Sequence, residues 1–326
     1  MNRRQALKQT FGFSAALLAS RSPLAAAALL PSVPGDVTTN NYLMIGDWGW
    51  DNDLRAQTAV ANGMTRYSRE KKWTPEALLL LGDNFYGRFK NGTHCPRWKT
   101  QFEDMYPQEV FPGPCYTILG NHDYDDEPIV KLAAELDYAK AHPGTRWHLP
   151  SKWYRFELGP AEKPLVTVLA LDSNYENSQV SLTPKERAAQ LEWFKTELEK
   201  PRKTPWLVVM GHHPLYSNGV HGDNPAMIQD FEKLFRQHKV HFYFAGHDHD
   251  LQHLEFENHP TSFVISGGGG AKLREPDHKR GPFSMAVYGF THLDVTPKRF
   301  IVSHIDANGN LLHTFTKSPD GSWKVG

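Results

Sequence analysis

Short apolar runs, each broken at once by glycine and a polar cluster, recur along this chain. Tyr42-Leu43-Met44-Ile45 runs into Gly46-Asp47-Trp48-Gly49, and residues 77–81 run into Gly82-Asp83-Asn84. Tyr116-Thr117-Ile118-Leu119 runs into Gly120-Asn121-His122-Asp123. Residues 206–210 lead to Gly211-His212-His213, and residues 240–245 to Gly246-His247-Asp248-His249. Runs of this length that end in glycine have the punctuation of buried strands. Between them, residues 54–68, 183–199 and 226–237 carry helical patterns. Thr183-Pro184-Lys185-Glu186 predicts a capped helix start, with Thr183 as N-cap, Pro184 at the first position and Glu186 at the third. Strands alternating with helices predict an α/β fold. In such folds ligands gather outside the carboxyl ends of the strands, where all of these polar clusters fall. The last third differs. Residues 261–266, 285–291, 299–305 and 311–315 read as strands with little helix between them. Antiparallel pairing there predicts a mixed sheet.

No linker divides the chain after Asn40, so one domain is expected over residues 41–326, preceded by a polar linker at 31–40. With 40% hydrophobic and 22% charged residues, the composition is globular rather than disordered. Residues 1–30 read as an address label: Asn2-Arg3-Arg4-Gln5-Ala6-Leu7-Lys8, an apolar run at 11–19, then Pro23-Leu24-Ala25-Ala26-Ala27-Ala28. That apolar run falls well short of the roughly 20 residues that span a bilayer. The paired arginines resemble a twin-arginine signal, although Asn2 and Ala6 depart from its preferred residues; a Sec-type signal is the alternative. The expected product is periplasmic or secreted, with no membrane partner once the signal is removed. Formal charge is zero, and without residues 1–30 it becomes 32 basic against 36 acidic residues. Such a balance excludes a broadly basic nucleic-acid surface. An attractive field for anionic substrates must come from bound metal instead. Cys95 and Cys115 remain in the mature chain, where an oxidising compartment permits a bridge; two buried free thiols are the alternative.

The polar clusters contribute Asp47, Asp83, Asn121, His212, His247 and His249. Carboxylates with imidazoles and one amide oxygen suit iron, manganese or zinc, and the absence of cysteine from the set argues against a structural zinc site. Taken singly, a Gly-Asp after a strand is a turn and a His-x-His is surface. Together at successive strand ends they point to a metal centre. Asp83, in the middle of the series, is the natural bridge, because one carboxylate can reach two ions about 3.5–4 Å apart.

This ordered series, with Gly82-Asp83-Asn84-Phe85-Tyr86 at its centre, resembles the calcineurin-like metallophosphoesterases. It resembles most closely the purple acid phosphatases of the small mammalian, tartrate-resistant type. Tyr86 narrows the resemblance, since that group uses a tyrosine at this spacing as a phenolate ligand to ferric iron. The resemblance implies a four-layer α/β/β/α sandwich of two mixed sheets. It also implies Fe(III) on Asp47, Tyr86 and His249, and a second divalent metal (iron, zinc or manganese) on Asn121, His212 and His247, with Asp83 shared. His213 stands where the small mammalian enzymes carry a tyrosine and is left outside the set. The implied activity is that of an acid phosphatase acting on small phosphate monoesters, with a bridging or terminal metal-bound hydroxide as nucleophile. His122 and His221 are the implied catalytic residues, stabilising phosphate charge or protonating the leaving oxygen. Asp123 is expected to orient a ligand or His122. Two other readings stay open: a nucleotidase or cyclic-nucleotide phosphodiesterase with two divalent ions, and a scaffold that keeps the fold without activity. Oligomeric state is not legible from the sequence.

Overall fold

The computed structural model describes residues 39–51, 53–125, 128–175, 182–277 and 279–326. The expected signal at 1–30 and most of the linker lie outside the described residues, while Asn40 already opens the first strand. Strands β1 (Asn40–Ile45), β2 (Ala77–Leu80), β3 (Cys115–Thr117) and β4 (Trp147–His148) pair in parallel. A second sheet holds β5 (Tyr154–Leu158), β6 (Val166–Ala170), β7 (Trp206–Met210), β8 (Phe242–Ala245), β9 (Leu251–Leu254), β10 (Ser262–Ser266) and β11 (Phe283–Met285). Its centre, β6-β7-β8-β10, is parallel and its margins are antiparallel. The chain then returns to the first sheet through β12 (Gly289–Val295), β13 (Phe300–Asp306), β14 (Leu311–Lys317) and β15 (Trp323–Val325), all antiparallel. Both sheets are therefore mixed.

Among the described residues four α-helices cover them: α1 (Arg55–Lys71), α2 (Pro128–Ala141), α3 (Pro184–Glu199) and α4 (Pro225–Gln237). Side-chain alternation sorts the layers. In β7 and β8, Val208, Met210, Phe242 and Phe244 enter the core between the sheets, where Phe242 meets Phe300 of β13 at 4.4 Å between ring centroids. Leu207, Val209 and Tyr243 face the other way, onto Phe194 of α3 and Phe231 and Phe235 of α4. Val60, Met64 and Tyr67 of α1 cover the first sheet, Tyr67 packing edge-on against Phe290. The order is helix, sheet, sheet, helix, as the motif series implied. Parallel strands buried on both faces read as unbroken apolar runs, which explains why they were legible.

Thr183 caps α3 as its sequence predicts: its hydroxyl accepts from the Glu186 N–H at 3.2 Å, and the Glu186 carboxylate accepts from the Thr183 N–H at 2.9 Å. Other elements depart from expectation. Residues 285–291 do not form one strand. Met285 ends β11 in one sheet and Gly289 begins β12 in the other, so the run is split where the chain crosses between sheets. Helix α2 and strand β6 carried no expected assignment. Cys95 and Cys115 are both buried and free. Among the described residues no helix is long and apolar enough to cross a membrane.

Candidate metal centre

The parallel strands of both sheets deliver their carboxyl ends to one seam. Gly46, after β1, donates to Ser266 O of β10 at 2.7 Å, and His212, after β7, places Nδ1 2.8 Å from Leu81 O, after β2. Three of the residues expected to bind metal leave their strands in the left-handed region: Asp47 at φ 57°, Asp83 at φ 50° and His247 at φ 69°. This backbone is uncommon outside glycine, and here it turns each side chain back across the strand ends. Gly120 permits the close approach beside them, since a Cβ there would stand 2.2 Å from Asp83 Oδ1.

Two groups of polar atoms converge. In the first, Tyr86 Oη lies 3.3 Å from Asp47 Oδ1 and 3.2 Å from His249 Nε2, with 3.5 Å between the latter two. In the second, Asn121 Oδ1 lies 3.2 Å from His212 Nε2 and 3.0 Å from His247 Nδ1. Asp83 stands between them. Its Oδ1 is 3.4 Å from His212 Nε2, and ligand atoms of Asp47, Asp83 and His212 all lie within 4.8 Å of one another. Ligands held about 2.1 Å from one ion at right angles stand about 3 Å apart, so the spacing fits coordination in both groups. His212 and His249 direct their far nitrogens to the carbonyls of Leu81 and Lys272, at 2.8 and 2.7 Å. This is the outer hydrogen bond that leaves the inner lone pair for a metal.

The electrostatics of the protein alone fit a cation as well. Burial, then Asp83 and Asp47, push the Tyr86 phenol well up. Burial also raises Asp47, against the pull of His212 and with help from Asp83. Burial would lower His212, but Asp83 and Asp47 carry it up to about 10, and His212 in turn holds Asp83 well down despite its burial. Burial keeps His249 low, at about 4, and burial together with His213, His212 and His221 holds His247 well down too. A buried set of carboxylates, imidazoles and phenol thus concentrates negative potential that positive charge must balance.

His122 and His221 flank this centre on opposite sides. The His122 ring lies 4.2 Å from the Tyr86 ring, with Nδ1 2.8 Å from Asp125 Oδ2, and its N–H donates to Asp83 Oδ1 at 2.8 Å. The His221 ring lies 4.1 Å from the His247 ring, with Nδ1 2.8 Å from buried Asp248 Oδ1. His221 Nε2 takes a hydrogen bond from Arg274 Nη1 at 2.7 Å. A guanidinium only donates, so in this arrangement Nε2 is the acceptor and the ring proton sits on Nδ1.

Asp123 does not touch His122. Its carboxylate accepts from the N–H groups of Asn84, Phe85 and Gly120 at 2.9, 3.0 and 2.8 Å, tying the loops after β2 and β3 together. Beneath them lies fully buried Lys131 of α2, which donates to Phe85 O and His122 O at 3.0 and 2.5 Å. His213 packs against His247 at 4.3 Å and pairs Nδ1 with Ser173 Oγ at 2.9 Å, outside both groups. Ser173 follows β6, a strand end without the glycine that punctuates the others, since Leu171-Asp172 comes next. A cavity of about 300 Å³ opens beside Asn121 and His247, walled by Ser173, His213, His221 and Asn224. The Gly267–Gly270 run is a packing device: a Cβ at Gly267 would meet Asp248 O at 2.0 Å.

Residues 41–251 match the calcineurin-like phosphoesterase family. Tartrate-resistant acid phosphatase type 5 of Oryctolagus cuniculus is 29% identical over 308 residues, covering 87% of this chain and 92% of that protein. Purple acid phosphatase 4 of Arabidopsis thaliana is 29% identical over 320 residues, covering 93% and 91%. Among solved structures, GAP50, the anchor in the inner membrane complex of Plasmodium, matches with a TM-score of 0.73 at 20% identity over 85% of this chain and 87% of that one. A purple acid phosphatase from yellow lupin seeds matches at 0.66 and 18% identity, over 88% of this chain and 55% of that one. These two likenesses describe the fold. By the match across residues 41–251, on which every group of the metal centre lies, the chain belongs to the calcineurin-like phosphoesterases.

Proposed function

We propose that this protein is an exported acid phosphatase that hydrolyses small phosphate monoesters at a dinuclear centre of Fe(III) and a divalent metal. The observation that carries the ferric assignment is Tyr86 Oη, 3.2–3.3 Å from His249 Nε2 and Asp47 Oδ1 in a buried group. Asp47, Tyr86 and His249 would hold the ferric ion, Asn121, His212 and His247 the divalent one, and Asp83 would serve both. When bound, such ions supply Lewis acidity toward the phosphoryl group and acidify water. The remaining work belongs to the chain. Carbonyls of Leu81 and Lys272 fix the faces of two imidazoles. Asp123 and Lys131 hold the loops of Asp83 and Asn121 in register. His122 and His221, on opposite flanks, would stabilise the phosphoryl oxygens or protonate the leaving oxygen.

The test is a visible spectrum with metal analysis of the purified protein. Absorption in the green to orange region, at least one iron per chain, and loss of colour in Tyr86→Phe are expected. A colourless, iron-free protein that still cleaves an aryl phosphate would replace this reading with a pair of divalent ions. Failure to cleave it in the fully metallated state would favour the scaffold reading, for which the GAP50 fold likeness is a precedent. Export rests on the Arg3-Arg4 segment; replacing both arginines by lysine should leave the protein inside the cell.

A further inference from the structure

Arg274 spans the mouth of the metal centre without belonging to either group of ligands. Its backbone is anchored to one wall. His249 Nδ1 bonds to Lys272 O at 2.7 Å, and the Arg274 N–H reaches His249 O at 3.4 Å. Its guanidinium crosses to the other wall, onto His221 Nε2 at 2.7 Å, and His221 itself packs against His247. Among the described residues Arg274 forms no ion pair with a carboxylate. A guanidinium resting on a single imidazole nitrogen uses little of a planar fork that matches phosphate oxygens.

We propose that Arg274 is a specificity residue that selects phosphate monoesters over diesters, an inference that rests on the phosphatase reading above. A monoester carries three terminal oxygens and up to two charges; a diester carries two and one. Whichever terminal oxygens the metal centre claims, a monoester has one more to offer a guanidinium, and a diester presents an alkylated oxygen there. On substrate binding Arg274 moves from His221 Nε2 to that third oxygen. The same move uncovers Nε2, while Nδ1 stays on Asp248.

The test compares p-nitrophenyl phosphate with bis(p-nitrophenyl) phosphate for wild type, Arg274→Ala and Arg274→Lys, alongside calorimetric binding of inorganic phosphate to the metal-loaded proteins. Arg274→Ala should lower kcat/KM for the monoester about 10- to 100-fold and weaken phosphate binding by a similar factor, the worth of a charge-assisted hydrogen bond. The diester should change less than about threefold, and lysine should recover part of the monoester loss. Metal content and unfolding midpoint should not move. Equal losses on both esters, unchanged phosphate affinity, or loss of metal would each overturn the role of Arg274 and leave the phosphatase reading intact. A metallated wild type inactive on the monoester would remove that reading and this inference with it.

Discussion

Lys131→Met asks whether the floor beneath the metal centre is held by one buried ammonium. Methionine keeps the length and most of the volume of the lysine stem, so little cavity forms. What disappears is a charge with no solvent exposure and its two hydrogen bonds, to Phe85 O at 3.0 Å and His122 O at 2.5 Å. Each bond from a charged donor is worth about 1.5–3 kcal/mol, giving about 3–6 kcal/mol for the pair. The ammonium also lies near the Asp123 and Glu135 carboxyls and opposes the upward push that burial gives both. Relief of the ammonium's own desolvation offsets part of the loss. Removing one member of a buried charged set generally costs about 3–5 kcal/mol, and that is the expected effect. It is a large share of the roughly 5–15 kcal/mol of a typical domain. The assay is urea unfolding of metal-free protein followed by tryptophan fluorescence, with iron affinity measured in parallel. Affinity should fall about 10- to 100-fold, the usual penalty for disturbing the shell around ligands. A variant within about 1 kcal/mol of wild type, with iron affinity unchanged, would refute the argument that Lys131 holds the two loops.

Three further outcomes are expected. His122→Ala should keep its metal yet lose about 10²- to 10⁴-fold in turnover, the range for a proton-transfer residue; loss of iron instead would mark a structural role. Burial lowers His292 and His304 to about 3, and neither touches a carboxylate: His292 bonds to Asn41 and Tyr67, His304 to Thr291 and Gln252 O. The unfolded chain takes up these protons near pH 6.5 and the folded chain does not. Stability should thus be full above about pH 7 and fall toward pH 3, by about 1.4 kcal/mol per unit for each histidine. His304→Gln should flatten that slope by about one proton in denaturation series between pH 7 and 5; an unchanged slope contradicts the buried neutral assignment. Burial raises the Cys115 thiol to about 12 and covers Cys95, so both thiols should stay silent to a thiol reagent in the native protein and both should titrate after unfolding without reductant. No thiols in the unfolded protein would reveal a bridge.

What the sequence made legible is the row of strand ends. Buried parallel strands are written as short apolar runs, and glycine marks where each stops, so Asp47, Asp83, Asn121, His212 and His247 stand out one after another. Strand β6 escaped because it ends on Leu171-Asp172 with no glycine. Helix α2 escaped for a different reason. Its buried positions include Lys131 and Glu135, charged residues four apart on the inward face, where a periodicity argument expects apolar ones. The reach of Arg274 onto His221 was hidden altogether, because it joins positions 53 residues apart in the chain. Local pattern locates the ligands; only packing tells how the second rank is wired.

The left-handed backbone at Asp47, Asp83 and His247 bears on how such a protein would lose its chemistry. At each of these positions glycine would relax the main chain, which a side chain there strains by roughly 1 kcal/mol or more. At 47 and 83 that relief is offset by loss of the carboxylates that accept the N–H groups of His247 and His122, so the balance favours glycine most at 247, where it would delete a ligand. This chain carries Asp, Asp and His at those sites. Measuring whether Asp47→Gly and His247→Gly raise the unfolding midpoint of the metal-free protein would show how much rigidity is forgone to keep the metal site.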